Sequence, residues 1–241
     1  MALLREYGIS ARLTFSNSLL REEHLADERC NALCRLLAES GGPQNGVIVH
    51  SDLLAGYLKE HYPQLYLVSS TTKVLTEFEA FRQETAREDF AYVVPDFRLN
   101  KAFAQLETLA RAEKDKVEFL CNECCWTGCR DRKRCYEVVS RQNLWGGLPG
   151  SPLCAPDAAQ GYRFSKAMAE PGVHRGGGYQ GNLPAHWAFS HFKIEGRGLG
   201  SALVLEIFAL LSGQAGAPAG SPGRNLSRQH AGLVLTACVQ G

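Results

Sequence analysis

Little in the bulk composition of this chain points outward. Its 26 Lys and Arg stand against 25 Asp and Glu, a net charge of +1. No global field is therefore available to recruit nucleic acid or an acidic membrane surface. No apolar run approaches the roughly 18 residues of a membrane-spanning helix, and no heptad pattern or short repeat is present. The HExxH zinc helix and the GxSxG nucleophile elbow are both missing. The opening MALLREYGISARL has neither the long apolar stretch nor the small-residue cleavage site of a secretory signal. These absences set the expectation of a cytoplasmic protein with no membrane partner.

Against that background the cysteines stand out. There are nine, and five fall in CNECCWTGCRDRKRC, between Cys121 and Cys135. An odd number without a secretory signal fits a reducing setting, where thiols serve metals, catalysis or packing. Cys30, Cys34 and Cys238 read as small core residues, since unbridged cysteine is commonly buried. The cluster follows the apolar run VEFL directly. Thiolates are soft ligands, and spacings of two to four residues let neighbouring sulfurs converge on one centre.

The 241 residues, 45% of them apolar, suffice for one large domain or two small ones. Strand-like runs occur at Ala11–Phe15, Gly46–Val49, Leu65–Val68, Phe90–Val94, Val117–Leu120 and Phe189–Ile194. Between the first five lie helical patterns at Asp27–Ser40, Ser51–His61, Thr76–Arg87 and Lys101–Lys114, and a further one follows at Ser201–Leu211. Alternation of this kind predicts parallel strands covered by helices. The stretch from about 141 to 188 is rich in Gly and Pro and reads as an irregular insertion. From Ser212 onward Gly, Ala, Ser and Pro dominate, so 212–241 is expected to be a disordered tail after a domain over 1–211.

Each strand run hands over to polar residues: Ser16-Asn17, His50-Ser51-Asp52, Ser69 to Lys73, Pro95-Asp96 with Arg98 and Asn100, and Asn122-Glu123 with the cysteines. In α/β folds the loops after the strands build the active site. Any one of these residues alone is better explained as a cap or turn former. Lys193 and Glu195 alternate with Phe192 and Ile194, so period two puts both charges on one face of a strand. The basic run Arg130–Arg134 lies beside Trp126 and Tyr136, a mixture that suits single-stranded nucleic acid but more commonly marks a solvated helix face.

The segments RLTFSN, NGVIVHSDLL, LVSSTTKVL, YVVPDFRLN, FLCNECCWTGCRDRKRCY and HFKIEGR together resemble a bacterial family of barrel proteins related to the collagenase-like peptidases (peptidase family U-32). The resemblance runs from about Arg12 to Leu211 and is thin between Glu137 and His186. It implies a (β/α)₈-type barrel, incomplete here because only six strands are found and the chain begins inside the family pattern. Family relatives were first described as peptidases, while others hydroxylate RNA pyrimidines or a quinone precursor ring around a four-cysteine [4Fe–4S] cluster. Carried over, Asn122, Glu123, Cys125 and Cys129 match the upstream element, and Lys193, Glu195, Gly196 and Arg197 match the signature strand.

The expectation is then an oxidoreductase or hydroxylase more than a peptidase. Cys125, Cys129 and Cys154 would be ligands of an iron–sulfur cluster, with Cys121 or Cys135 completing the set. Lys193 and Arg197 would orient an anionic or carbonyl-bearing substrate, and Glu195 would move a proton or hold a hydroxyl, with Asn122 and Glu123 nearby. A zinc site is the rival cofactor. A thiol or metal peptidase and a non-catalytic metal- or RNA-binding module are the rival functions. RNA, a small aromatic substrate and a partner subunit completing or pairing with the barrel are the partners the resemblance implies. Cys135 stands where the family pattern has a histidine, and Cys121 and Cys124 are extra.

Overall fold

The computed structural model describes residues 1–120, 125, 129–145, 189–194 and 205, together with the backbone of 235–237. The strands are β1 Ala11–Phe15, β2 Gly46–Val49, β3 Tyr66–Ser69, β4 Tyr92–Val93, β5 Glu118–Leu120, β6 His191–Lys193 and β7 Leu235–Ala237. The helices are α1 Ala2–Glu6, α2 Glu28–Ala38, α3 Asp52–His61, α4 Phe78–Ala86, α5 Phe103–Glu107, α6 Arg111–Lys114 and α7 Arg132–Trp145. Short 3₁₀ turns at Glu22–Ala26, Thr71–Lys73 and Phe97–Lys101 complete the path.

The result is a mixed α/β fold on a parallel sheet. Five strands run in the order β4-β3-β2-β1-β7, and β5 pairs with β6 separately. All these pairings are parallel. A single parallel bridge, Val93 to Val117, links β4 to β5. Strands β1 to β6 thus lie side by side in chain order. β7 lies within the segment read from the sequence as a tail, the rest of which falls outside the described residues.

Local chemistry explains the helix boundaries. Asp27 caps α2 by accepting a hydrogen bond from the Cys30 backbone at 2.7 Å, and Ser51 caps α3 through the Leu54 backbone. The helix expected across Lys101–Lys114 is instead three pieces: the 3₁₀ turn, α5 and α6. Thr108 Oγ1 donates to the Gln105 carbonyl at 2.6 Å, which competes with the helical ladder. The Glu113 carboxylate then accepts from the Ala110 backbone at 2.7 Å and starts the next helix. The break lets both Leu106 and Leu109 turn inward, where they are buried. Helix α7 takes up the helix face read at Arg130–Arg134 and runs on through Trp145, into the stretch expected to be irregular. Residues 146–188 lie outside the described residues, as does the helix expected at Ser201–Leu211 apart from Leu205.

Two layers of apolar contact hold the sheet. On the helix-covered face Leu13, Val47, Val49, Leu67, Val93 and Phe119 pack against Cys34, Leu37, Leu54, Leu58, Phe81 and Leu106. Each large side chain buried here contributes about 1.5–3 kcal/mol. The opposite face carries a smaller cluster of Ile48, Val68, Val94 and Leu120, with Tyr66 and Tyr92 against it.

A buried polar knot lies on that second face. Arg12 of β1 pairs with Glu118 of β5, and both side chains are almost wholly buried. The Arg12 Nε donates to the Tyr66 hydroxyl at 2.8 Å, and its guanidinium lies over the Tyr66 and Tyr92 rings. In a flat sheet β1 and β5 would stand roughly 19 Å apart, too far for these side chains to meet. The strands therefore curl toward the helix-free face. Burial opposes charge on Arg12, but the Glu118 carboxylate and Tyr66 outweigh it and hold the guanidinium pKa above its ordinary value. Gly46 makes room for this knot, since a Cβ there would come within 2.4 Å of the Tyr66 ring.

Candidate active site at the carboxyl ends of the strands

The carboxyl ends of β1 to β4 converge beneath α7. At the end of β2, His50 Nδ1 lies 2.9 Å from Thr72 Oγ1. Thr72 sits in the 3₁₀ turn after β3 and also reaches Ser70 Oγ at 3.0 Å and the Ser16 carbonyl at 3.4 Å. Ser70 in turn accepts from the Thr72 backbone at 3.2 Å. The turn closes on Val74, which has φ 53° and is the sole non-glycine residue at positive φ among the described residues. A β-branched side chain is disfavoured there, and such strain costs of order 1–3 kcal/mol and tends to gather at functional sites.

Charge around His50 comes from three elements. Burial and then the ammonium groups of Lys73 and Lys133 hold the imidazole pKa below its ordinary value, against the smaller pull of Asp52 and Glu137. Lys73 is itself anchored, donating to Glu84 at 2.6 Å with Asp52 at 3.5 Å.

The end of β4 is built around Asp96, whose side chain is fully buried. Asp96 accepts from Arg98 Nε at 2.6 Å and from the Arg98 backbone at 3.1 Å. Arg132, from the first turn of α7, brings its Nε to within 3.3 Å of the same carboxylate. Its guanidinium is sandwiched between the Phe97 and Tyr136 rings and donates to Thr71 Oγ1 at 3.3 Å. Farther along α7, Ser140 is buried; its hydroxyl accepts from the Ser18 backbone and its carbonyl from Asn17 Nδ2. Helix α7 is thus tied to the ends of β1, β3 and β4.

Arg132 overturns one expectation. The run Arg130–Arg134 reads from the sequence as a solvated helix face. Arg130, Lys133 and Arg134 are exposed, but Arg132 is 1% exposed and its charge is taken up by Asp96. The signals that could have found it are Asp96 at a strand end and Tyr136 four residues on, one turn above Arg132.

Among the expected thiol ligands, Cys129 is buried, and its carbonyl accepts from Arg98 Nη1 at 3.2 Å. Cys125 and Cys135 are half-buried, the latter in the first turn of α7. The Asn100 side chain donates to the Leu120 carbonyl at 2.8 Å, fixing the strand end from which the cysteine segment departs. Cys121, Cys154, Asn122 and Glu123 lie outside the described residues, as do Glu195 and Arg197. Lys193 pairs in register with Leu120, on the helix-free face, while its neighbour Phe192 packs against the helix-covered core.

The donor chemistry of this segment, soft sulfur after a strand end with cationic Arg98 beside it, suits an iron–sulfur cluster or zinc. Among the described residues no three His, Cys, Asp or Glu side chains converge as a metal site. Cys30 and Cys34, on α2 and remote from the strand ends, are different in kind. Burial, then Asp27, raises the Cys30 thiol to about 11, and burial, then Cys30, raises Cys34 to about 12. Such thiols stay protonated and serve packing.

The chain matches no protein-family model, no curated protein and no solved structure. Among the described residues no helix is long and apolar enough to cross a membrane.

Proposed function

We propose that this chain is a (β/α)₈-type barrel protein, similar to the U-32 peptidase relatives, whose cysteine segment holds an iron–sulfur cluster or a metal ion at the carboxyl-end mouth. The barrel reading rests on consecutive parallel strands and on the Arg12–Glu118 pair, which requires the sheet to curl strongly. The observation that carries the functional reading is the seat of Cys129: buried near the carboxyl end of β4, with its backbone held by Arg98, which is itself locked onto Asp96.

In this reading Cys125, Cys129 and Cys154 are ligands, with Cys121 or Cys135 completing the set. The bound group would supply one-electron redox chemistry, consistent with an oxidoreductase or hydroxylase. Lys193, with Glu195 and Arg197 following it in the sequence, would bind and orient an aromatic or anionic substrate such as an RNA base. Arg98 would offset thiolate charge from the β4 side.

Anaerobic purification followed by visible absorption and iron, sulfide and zinc analysis tests this. Brown protein with iron and sulfide is expected. Alanine at Cys125 or Cys129 should abolish the metal, while Cys34→Ala should leave it bound. A well-folded, colourless, metal-free protein overturns the reading.

A further inference from the structure

We propose that His50 is the proton-accepting group of the carboxyl-end face, with Thr72 as the residue that positions it and its Nε2 lone pair directed to a small ligand bearing a hydroxyl or amide proton. Thr72 has a single proton to give, and its other two partners are the Ser16 carbonyl, which can only accept, and Ser70 Oγ. The Thr72 hydroxyl is the donor toward both, its one proton shared between them. What remains toward His50 is a lone pair, so Nδ1 carries the proton and donates it to Thr72 across 2.9 Å. Nε2 is then the bare, basic nitrogen, and no described residue hydrogen-bonds to it. A neighbour that fixes one ring nitrogen as donor is what prepares the other as a base.

The backbone supplies a second, independent observation. The turn that presents Thr72 closes on Val74 in the left-handed region at φ 53°, and Thr71 within it is pinned to the Pro95 carbonyl at 3.2 Å. A β-branched residue is held there only where the surroundings determine its conformation. The turn that orients the imidazole is thus rigid.

The charges facing His50 are Asp52 from α3, Lys73 from the turn, and Lys133 and Glu137 from α7. When a ligand's O–H or N–H proton moves to Nε2, the imidazole becomes imidazolium and the ligand becomes its conjugate base. Nδ1–H stays on Thr72. Burial first, then the ammonium groups of Lys73 and Lys133, disfavours protonation of the resting imidazole. None of this requires a metal, so the inference stands apart from the reading of the cysteine segment.

The test needs only the full chain. Long-range proton–nitrogen correlation of isotope-labelled protein above neutrality, assigned with His50→Gln, reports which ring nitrogen of His50 is protonated. The Nδ1–H tautomer is expected in the wild type and in Thr72→Ser. Thr72→Val should lose that preference. In parallel, diethyl pyrocarbonate followed by peptide mapping should acylate His50 in the folded protein. An Nε2–H tautomer in the wild type overturns the proposal, whatever the variants do. So does a His50 that reacts only after the chain is unfolded in denaturant.

Discussion

Arg12 and Glu118 illustrate what a residue can do once both members of a pair are removed from water. Either charge alone would be costly in this layer, where the neighbours are Tyr66, Tyr92 and His191. Together, with the Tyr66 hydroxyl accepting a second bond from Arg12, they satisfy one another. Glu118→Ala is expected to destabilise the fold by about 3–5 kcal/mol, because it leaves a buried guanidinium uncompensated. Replacing both partners with apolar residues of similar volume should recover much of that loss. Urea unfolding of the two single variants and the double variant measures it. A Glu118→Ala protein as stable as the wild type would show that Arg12 escapes to solvent.

At the scale of elements, α7 is held mainly by polar contacts. Its buried residues are Arg132 and Ser140, and Val139 and Trp145 on it are exposed. An apolar stripe is therefore not what docks this helix. Its anchors are Asp96 and Thr71 at one end, and Asn17 and Ser18 at the other. This is also why only the basic start of α7 was legible in the sequence as a helix face, and not its length or docking: the periodicity of RKRCYEVVSRQNLW is weak, and the pattern gives no hint that one arginine in a basic run goes inside. Asp96→Ala should release it. Amide exchange within Arg132–Trp145 is expected to rise markedly while that of α3 changes little, and equal protection in both proteins would show that other contacts suffice. By contrast, α2 and α3 were legible because their caps, Asp27 and Ser51, are local, as is the apolar spacing behind them.

For the molecule as a whole, two half-buried histidines set an acid limit. His50 and His191 both lie below the ordinary value of 6.5, each held down first by burial. As pH falls below about 6.5 the unfolded chain takes up protons that the folded chain refuses, so unfolding is favoured. Their contribution is fully present above that pH and is lost on acidification through the folded pKa values. The urea midpoint should drop between neutrality and mild acid, and the slope should flatten in the His50→Gln, His191→Gln double variant. An unchanged slope would assign the drop to other groups. The depressed carboxyls of Asp27, Asp52 and Asp89 act with the same sign but below about 3.8.

The sequence by itself determined the alternation of strands and helices, the parallel sheet and the gathering of polar residues at the strand ends. These follow from short-range signals: a run of Val, Ile and Leu, a serine before a helix, a period of two. It also placed the cysteine segment directly after β5. Only the tertiary structure decided which of those polar residues act together. Asp96 meets Arg132 from 36 positions away, Arg12 meets Glu118 across the curl of the sheet, and His50 receives its orientation from a turn one strand over. Such pairings depend on strand order and on burial, neither of which leaves a mark in local spacing. An arginine in a basic run looks the same whether it faces water or a buried aspartate.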